Sequence, residues 1–337
     1  MYNPSEAGKK GTIFGLPYTL EESDLVLVPV HLDVTVSYAD GTAKSPDLIL
    51  EESSQLDLSL RKIHDPWELK MVMYDKIVIS SQNEIHRGRA KSVIKALESG
   101  KSPDQDQIDY VNQFCEETHK KVEEVSASFL NLNKLVAVVG GDHSSPLGLI
   151  RALSSKKAFG ILQIDAHMDL RSAYEGFTYS HASIMFNALQ SESVSSLTQV
   201  GIRDFCDEEE QFISGSKKPV HVFYDEELFE NSVSGTSWLD QCKTIIDTLP
   251  QEVYMSFDMD GLIPSLCPNT GTPVPGGLSF NQVIILLDEL VRSGKKIIGF
   301  DVCEAGNDAW DANVAARTIF RIATAMGVTQ GLLHHRK

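Results

Sequence analysis

This sequence of 337 residues lacks long apolar runs, a signal pattern and closely spaced cysteine pairs, and each absence narrows the choice of function. No apolar run approaches the roughly 18 residues that a membrane-spanning helix requires, and the N-terminus lacks a basic-then-apolar signal pattern. The five cysteines are scattered, without CxxC or any other zinc-type spacing. We therefore expect a soluble, cytoplasmic protein with reduced thiols and no membrane partner.

Positive charge is also in short supply. Lysine and arginine number 30 against 47 aspartates and glutamates, which gives a formal net charge of -17. A field of this sign repels phosphate backbones and attracts small cations. Nucleic acid is therefore not an expected partner, whereas a small cationic substrate is.

Short runs rich in valine and isoleucine alternate with longer stretches of helical periodicity. The runs predict buried strands, and they occupy residues 25–30, 135–139, 159–164, 197–202, 220–223, 253–257 and 296–302. The helical stretches are residues 85–97, 108–129, 146–153, 280–291 and 312–326. This alternation predicts an α/β fold with a mainly parallel sheet covered by helices on both faces.

The chain shows no repeat, low-complexity tract or glycine/serine linker that would separate two domains. Residues 98–106 are polar and predict a surface loop. Residues 1–24 are the least periodic, so we expect an N-terminal arm or lid there and one catalytic domain over residues 25–337.

Histidines and aspartates follow three of the predicted strands, in the segments GGDHS, DAHMD and SFDMDG. The carboxyl ends of parallel strands line one crevice, so these side chains can converge. The candidate ligands are His143, Asp165, His167, Asp169, Asp258 and Asp260. Such an oxygen-rich set suits Mn²⁺ best, although Ni²⁺, Co²⁺ or Zn²⁺ could occupy it, and it is large enough for two ions that share a hydroxide.

These three segments, with TGTPVPGG at residues 270–277, resemble the signature of the arginase/agmatinase (ureohydrolase) family. Residues 35–43, 169–176 and 180–182 are more similar to the agmatinase branch. The resemblance covers most of the chain. It implies the arginase-like three-layer fold and a homo-oligomer, either a trimer or a hexamer.

The resemblance also implies a role for each site residue. One Mn²⁺ would be held by His143, Asp165, Asp169 and Asp258, and the second by Asp165, His167, Asp258 and Asp260. The hydroxide between the ions would attack a guanidinium carbon and release urea and an amine. His181 matches the proton-shuttle histidine of the family, and Glu304 matches the carboxylate that pairs with the guanidinium.

Two departures from the family pattern concern the substrate more than the metals. Ile263 stands where an aspartate is usual, and residues 305–308 read AGND in place of the usual valine and proline. Agmatine or a similar compound is the expected substrate, while formimidoylglutamate, guanidinobutyrate, arginine and guanidine stay open. A metallophosphoesterase and a metal-binding regulator without turnover are the alternatives from other classes.

Overall fold

The fold is organised around an eight-stranded parallel sheet. The computed structural model describes residues 3–4, 8–75 and 82–336. Its strands are β1 (Leu25–Val30), β2 (Ile63–His64), β3 (Met71–Met73), β4 (Leu135–Gly140), β5 (Phe159–Ile164), β6 (Val194–Ile202), β7 (Val220–Tyr224), β8 (Glu252–Asp258), β9 (Lys296–Cys303) and β10 (His334–His335). The sheet order is β3-β1-β4-β9-β8-β5-β6-β7, and β2 pairs with β10 in a separate antiparallel ladder.

Helices cover both faces of this sheet. They are α1 (Ser45–Ser53), α2 (Asn83–Glu98), α3 (Gln105–Asn131), α4 (Leu147–Ser154), α5 (Ile184–Leu189), α6 (Asp207–Gly215), α7 (Asp225–Val233), α8 (Trp238–Asp247), α9 (Phe280–Arg292) and α10 (Ala309–Thr329). Helices α1, α8, α9 and α10 contribute to one apolar core, and α2 to α5 contribute to the other. The predicted three-layer α/β architecture is confirmed.

The alternation of side chains along each strand supplies both cores. In β1, Leu25 and Leu27 belong to one core, whereas Val26, Val28 and Val30 belong to the other. Pro29 is accommodated because β3 pairs only with residues 25–27, so the missing N–H lies where that neighbour has ended. Strands buried on both faces need apolar residues at every position, which explains their continuous apolar runs.

All seven predicted strands and all five predicted helices are present, with ends shifted by a few residues. Residues 99–104 connect α2 to α3, which confirms the predicted loop. The sequence did not predict β2, β3 or β10, which are only two or three residues long. Among the described residues, no helix combines the length and apolar character that crossing a membrane requires.

The described part of the predicted N-terminal arm is packed on the domain. Ile13, Phe14 and Leu16 are buried in the same core as α10, and the Phe14 ring lies 5.1 Å from that of Phe320. Residues 1–2 and 5–7 lie outside the described part. The role of residues 1–24 as an arm or lid stays a prediction.

Helix α4 packs closely against α3 through Gly148. A Cβ at this position would lie 2.4 Å from the carbonyl oxygen of His119 and 2.6 Å from the amide nitrogen of Glu123. We expect Gly148→Ala to lower the free energy of unfolding by about 1–3 kcal/mol, because overpacking outweighs the better helix propensity of alanine.

Gly88 in α2 provides the matched control for this substitution. An added Cβ there meets no atom within 4 Å, so Gly88→Ala should raise stability by up to about 1 kcal/mol. Urea denaturation of both variants and the wild type measures the difference. Equal stability of the two variants would contradict the close approach of α3 and α4.

Candidate metal centre

Four adjacent central strands deliver the candidate site. The segment after β4 carries His143, the segment after β5 carries three candidate ligands, and β8 ends at Asp258 with Asp260 just beyond it. Strand β9 lies between β4 and β8 and is followed by Glu304. The predicted convergence at the carboxyl ends of the strands is therefore present.

His143 stands at the centre of the first group of ligand atoms. Its Nδ1 lies 3.0 Å from Asp165 Oδ2, 2.9 Å from Asp169 Oδ2 and 3.3 Å from Asp258 Oδ2. Within the described residues Nδ1 makes no hydrogen bond of acceptable geometry, although it is buried. A buried, unpaired nitrogen that faces three carboxylate oxygens is the arrangement expected of ligands that share one metal ion.

His167 gathers the second group. Its Nδ1 lies 3.1 Å from Asp260 Oδ2 and 3.6 Å from Asp165 Oδ1. His143, Asp165 and Asp258 form one possible metal-binding cluster, and Asp165, His167 and Asp260 form the other. Asp165 is common to both clusters and offers a different oxygen to each, as a bridging carboxylate would.

Burial and like charge act together on Asp258 and Asp169, whereas for Asp165 the facing histidines His143 and His167 outweigh burial and lower the pKa. Burial, followed by the charges of Asp260 and Asp165, raises the pKa of Asp258 well above its usual range. Burial and the charge of Asp165 raise the pKa of Asp169 to about 7. The shifts show that this cluster lacks positive charge, which is what divalent ions would supply.

The pKa values of the two imidazoles are raised as well. Burial alone lowers the pKa of His143, but the facing carboxylates of Asp165 and Asp169 outweigh it and raise the pKa well above the ordinary value. The pKa of His167 is raised in the same way, with Asp260 as the largest opposing influence. A metal ion bound by Nδ1 would require the neutral ring, so its binding would release a proton.

A relay behind His143 fixes which of its nitrogens can bind a metal. Nε2 lies 2.9 Å from Ser256 Oγ, and Ser256 donates its hydroxyl hydrogen to Asp301 Oδ1 at 3.2 Å. Tyr254 donates to the other Asp301 oxygen at 2.7 Å. Since the serine hydrogen is already used, Ser256 accepts from Nε2–H, and this tautomer leaves the Nδ1 lone pair toward the carboxylates.

Two glutamines of the sheet form a chain of hydrogen bonds that ends at Asp165. Gln163 Nε2 donates to Asp165 Oδ2 at 2.7 Å, and Gln199 Nε2 donates to Gln163 Oε1 at 2.6 Å. Both amides are fully buried. The sequence did not predict either glutamine, because each lies within a strand and not after the strand end, where the candidate ligands are.

Arg203 connects the site to its surrounding loops. The sequence analysis did not predict this role. Its guanidinium donates to five carbonyl oxygens, those of Gly201, Asp260, Leu262, Val274 and Pro275. The Asp260 carbonyl is the nearest at 2.6 Å. The fork of five donors fixes the position of the Asp260 segment relative to the loop at 270–277.

His181 lies in the wall of the cleft above the two groups. The cleft has a volume of about 430 Å³, and His167 and Asp169 share its wall. His181 begins a short 3₁₀ helix, and its Nδ1 is 3.2 Å from Ser180 Oγ. Burial, with the neighbouring His167 and His143, lowers the pKa of His181 to about 3, which favours the neutral ring.

Glu304 lies beside His143 rather than in the cleft wall. Its Oε1 accepts a hydrogen bond from the backbone N–H of His143 at 2.9 Å, while its buried Oε2 has no hydrogen-bond partner among the described residues. Burial and the charge of Asp142 raise the pKa of Glu304 well above its usual range. Its backbone has a φ of 61°, in the left-handed region that non-glycine residues seldom adopt away from functional sites.

The two departures noted in the sequence have local structural roles. The backbone N–H of Ile263 donates to Leu278 O at 3.0 Å, which ties the segment to the loop before α9. Asp308 caps α10 by accepting from Trp310 N at 2.8 Å. Gly306 packs so closely that a Cβ would lie 2.3 Å from Asn269 O.

Comparison with known proteins identifies relatives of the whole chain. A sequence model described as "Arginase family" matches residues 23–326. An N(1)-aminopropylagmatine ureohydrolase of Thermus thermophilus is 30% identical over 335 residues, covering 97% of this chain and 96% of that protein. The agmatinase of Pyrococcus horikoshii is 27% identical over 296 residues, covering 86% of each.

Solved structures share the fold. The proclavaminate amidinohydrolase of Streptomyces clavuligerus superposes with a TM-score of 0.71 at 21% identity, covering 96% of this chain and 99% of that one. The agmatine ureohydrolase of Thermoplasma volcanium gives 0.67 at 23% identity, covering 95% and 96%.

The relay behind His143 generates a prediction about metal affinity. In Ser256→Ala the Nε2 position loses its partner, so the ring is no longer held in the tautomer that offers Nδ1. We expect Mn²⁺ to bind on the order of tenfold to a hundredfold more weakly. Competition titration with a chelator measures this affinity directly.

Ser196→Ala is the control for that experiment. Ser196 is also buried in the sheet, but its hydroxyl has no hydrogen-bond partner in the described chain and lies on β6. Its removal should leave Mn²⁺ affinity unchanged. Equal affinities for all three proteins would show that Ser256 does not orient His143.

Proposed function

This chain belongs to the arginase family, and from that membership we propose that it is a binuclear metal hydrolase that releases urea and an amine from a guanidino compound. The observation that carries the proposal is the convergence of two imidazoles and four carboxylates on two groups that share Asp165. Agmatine or a similar compound is the proposed substrate, in line with the names of the curated relatives.

We assign one ion to His143, Asp165, Asp169 and Asp258, and the other to His167, Asp165, Asp258 and Asp260. Asp258 is grouped with His143 by distance, so its contact with the second ion is part of the proposal. When bound, the ions supply an activated water at neutral pH and offset the negative charge of the cluster. The hard oxygen ligands favour Mn²⁺.

His181 is the proposed carrier of the proton for the departing amine. Its Nδ1 is occupied by Ser180, so the other ring nitrogen is the one available for transfer. A neutral imidazole at this position can accept a proton and then donate it to the departing amine. Its place in the cleft wall, beside His167, supports this role.

Glu304 is the proposed carboxylate for the guanidinium. One oxygen accepts from the His143 amide, and the other has no hydrogen-bond partner in the described part of the chain, which suits a carboxylate that binds a cation. A planar cation with parallel N–H donors matches a carboxylate. The charge of such a substrate would return the pKa of Glu304 toward its usual range.

The metal assignment predicts two ions per chain. Wild-type protein loaded with Mn²⁺ should contain two ions by elemental analysis, and Asp165→Asn should contain at most one, because Asp165 belongs to both groups. Activity retained in full by Asp165→Asn, or a wild-type content of one ion, would exclude the binuclear site.

Glu304→Gln tests the substrate contact. The amide keeps the size of the side chain but loses its charge, so we expect unchanged metal content and a fall in kcat/KM of roughly a hundredfold, equivalent to about 3 kcal/mol. Urea release from agmatine measures it. Asp308→Asn is the control, since asparagine caps helices as well as aspartate does, and it should behave as wild type.

Other functions predict other results in the same assays. A phosphoesterase should hold or gain activity when negative charge leaves the site, and a regulator should bind metal without releasing urea. A panel of agmatine, 4-guanidinobutyrate, arginine, guanidine and formimidoylglutamate ranks the alternative substrates. The predicted homo-oligomeric state and cytoplasmic location stay predictions.

A further inference from the structure

The cleft above the candidate metal centre is larger than a guanidinium requires. Its volume is about 430 Å³. A guanidinium has four heavy atoms and, at roughly the 30 Å³ that liquid water occupies per heavy atom, needs about 100 Å³. Most of the cleft is therefore free for the rest of a substrate.

The charges in the cleft wall are not all available to a ligand. Glu209 is buried, and its two oxygens already accept hydrogen bonds from Leu170 N at 3.0 Å and Cys206 N at 3.1 Å. Arg171 is directed at Glu209, with 3.9 Å between Nε and Oε2, and stacks over Tyr174. Glu209 therefore has both oxygens hydrogen-bonded to the backbone, and Arg171 faces it at ion-pair distance.

Asp204 is the exception in this wall. Its side chain is 66% exposed, and its nearest cationic group is His167 Nε2 at 3.8 Å, too far for a hydrogen bond. No lysine or arginine of residues 8–75 or 82–336 forms an ion pair with it. Its backbone is nevertheless fixed, because Asp204 N donates to Ala166 O at 3.1 Å.

Two aromatic rings line the same cleft as this carboxylate. Phe205 and Tyr38 line the same cleft, and the Tyr38 side chain is 79% exposed. The ring of Phe205 is held by Tyr224, with 5.2 Å between centroids. Arg171 over Tyr174, at 4.9 Å from the ring centre, shows that this mouth already accommodates a cation on an aromatic face.

We propose that Asp204, together with the faces of Phe205 and Tyr38, binds the distal ammonium of a guanidino substrate that carries an alkylammonium tail. The inference rests on the proposed function and names the specificity-determining residue of its cleft. A carboxylate tail would be repelled by Asp204, and Arg171, the cation of this wall, is directed toward Glu209.

The length of an alkylammonium tail is comparable to the distance between the candidate metal centre and Asp204. His167 Nδ1 faces the candidate metal centre, and Asp204 lies on the opposite side of the same ring, near Nε2. The distance from Nδ1 to this carboxylate is therefore at most the separation of the two ring nitrogens plus 3.8 Å. A four-carbon chain places its terminal ammonium about 7 Å from the guanidino carbon, which is a comparable distance.

The test compares substrates that differ only in the tail. Agmatine carries a terminal ammonium, n-pentylguanidine has a methyl group in its place, and 4-guanidinobutyrate has a carboxylate. In Asp204→Asn we expect kcat/KM for agmatine to fall roughly fivefold relative to n-pentylguanidine, mainly through KM, as suits an exposed ion pair. The value for 4-guanidinobutyrate should rise. A compound that is not hydrolysed is measured as a competitive inhibitor.

Glu208→Gln is the matched control. Glu208 is exposed in the first turn of α6 and outside the cleft wall, so this variant removes the same charge without the contact. The kcat/KM values of this variant for all three substrates should equal those of the wild type. An equal fall for all three substrates in Asp204→Asn, with reduced metal content, would show that Asp204 orients His167, and it would overturn the proposal.

A binding measurement separates this inference from the proposed function. If Mn²⁺-loaded wild type hydrolyses no guanidino compound, the proposed function fails, and calorimetric titration with 1,4-diaminobutane still tests the ammonium site. Weaker binding of the diamine by Asp204→Asn than by Glu208→Gln supports the site. Equal binding by the two variants, or no binding by the wild type, overturns it.

Discussion

The burial of four carboxylates around two imidazoles is the constraint on which this structure depends. Asp165, Asp169, Asp258 and Asp260 are each at most 5% exposed, so their mutual repulsion is not relieved by water. The surrounding scaffold holds them together by backbone amides, as when Asp260 Oδ1 accepts from Ala166 N at 3.0 Å. Such an arrangement is stable in its ionised form only with added positive charge, and divalent ions are the natural source.

Much of this could be read from the sequence, for reasons that are local. Continuous apolar runs identify strands buried on both faces, and the alternation in DAHMD places three ligands in one segment after β5. The short elements could not be read in the same way. Strand β3 has three residues, and β2 pairs with β10 about 270 positions away, as the register His64 to His334 shows. No local pattern marks such a pairing.

Three supporting residues of the site, Gln163, Gln199 and Ser256, were hidden for a related reason. Ser256 and Asp301 are opposite each other in the register of β8 and β9, and Gln163 and Gln199 are opposite each other in that of β5 and β6. Gln163 is also the register partner of Ser256. These four buried polar residues form one row across four strands, directly below the ligands. Each strand contributes one residue to the row, and only the lateral pairing of strands reveals it.

The division between this row and the cleft mouth bears on how the protein can change over evolutionary time. The groups that hold the ligands come from the sheet interior, where a substitution disturbs several neighbours at once. Asp204 and Phe205 follow β6 and are partly exposed, and their side chains have few contacts to lose. Mutations at the mouth can therefore accumulate without loss of the hydrolytic core. A fold built in this way is well placed to give rise to paralogues that share one reaction and differ in the molecules on which they perform it.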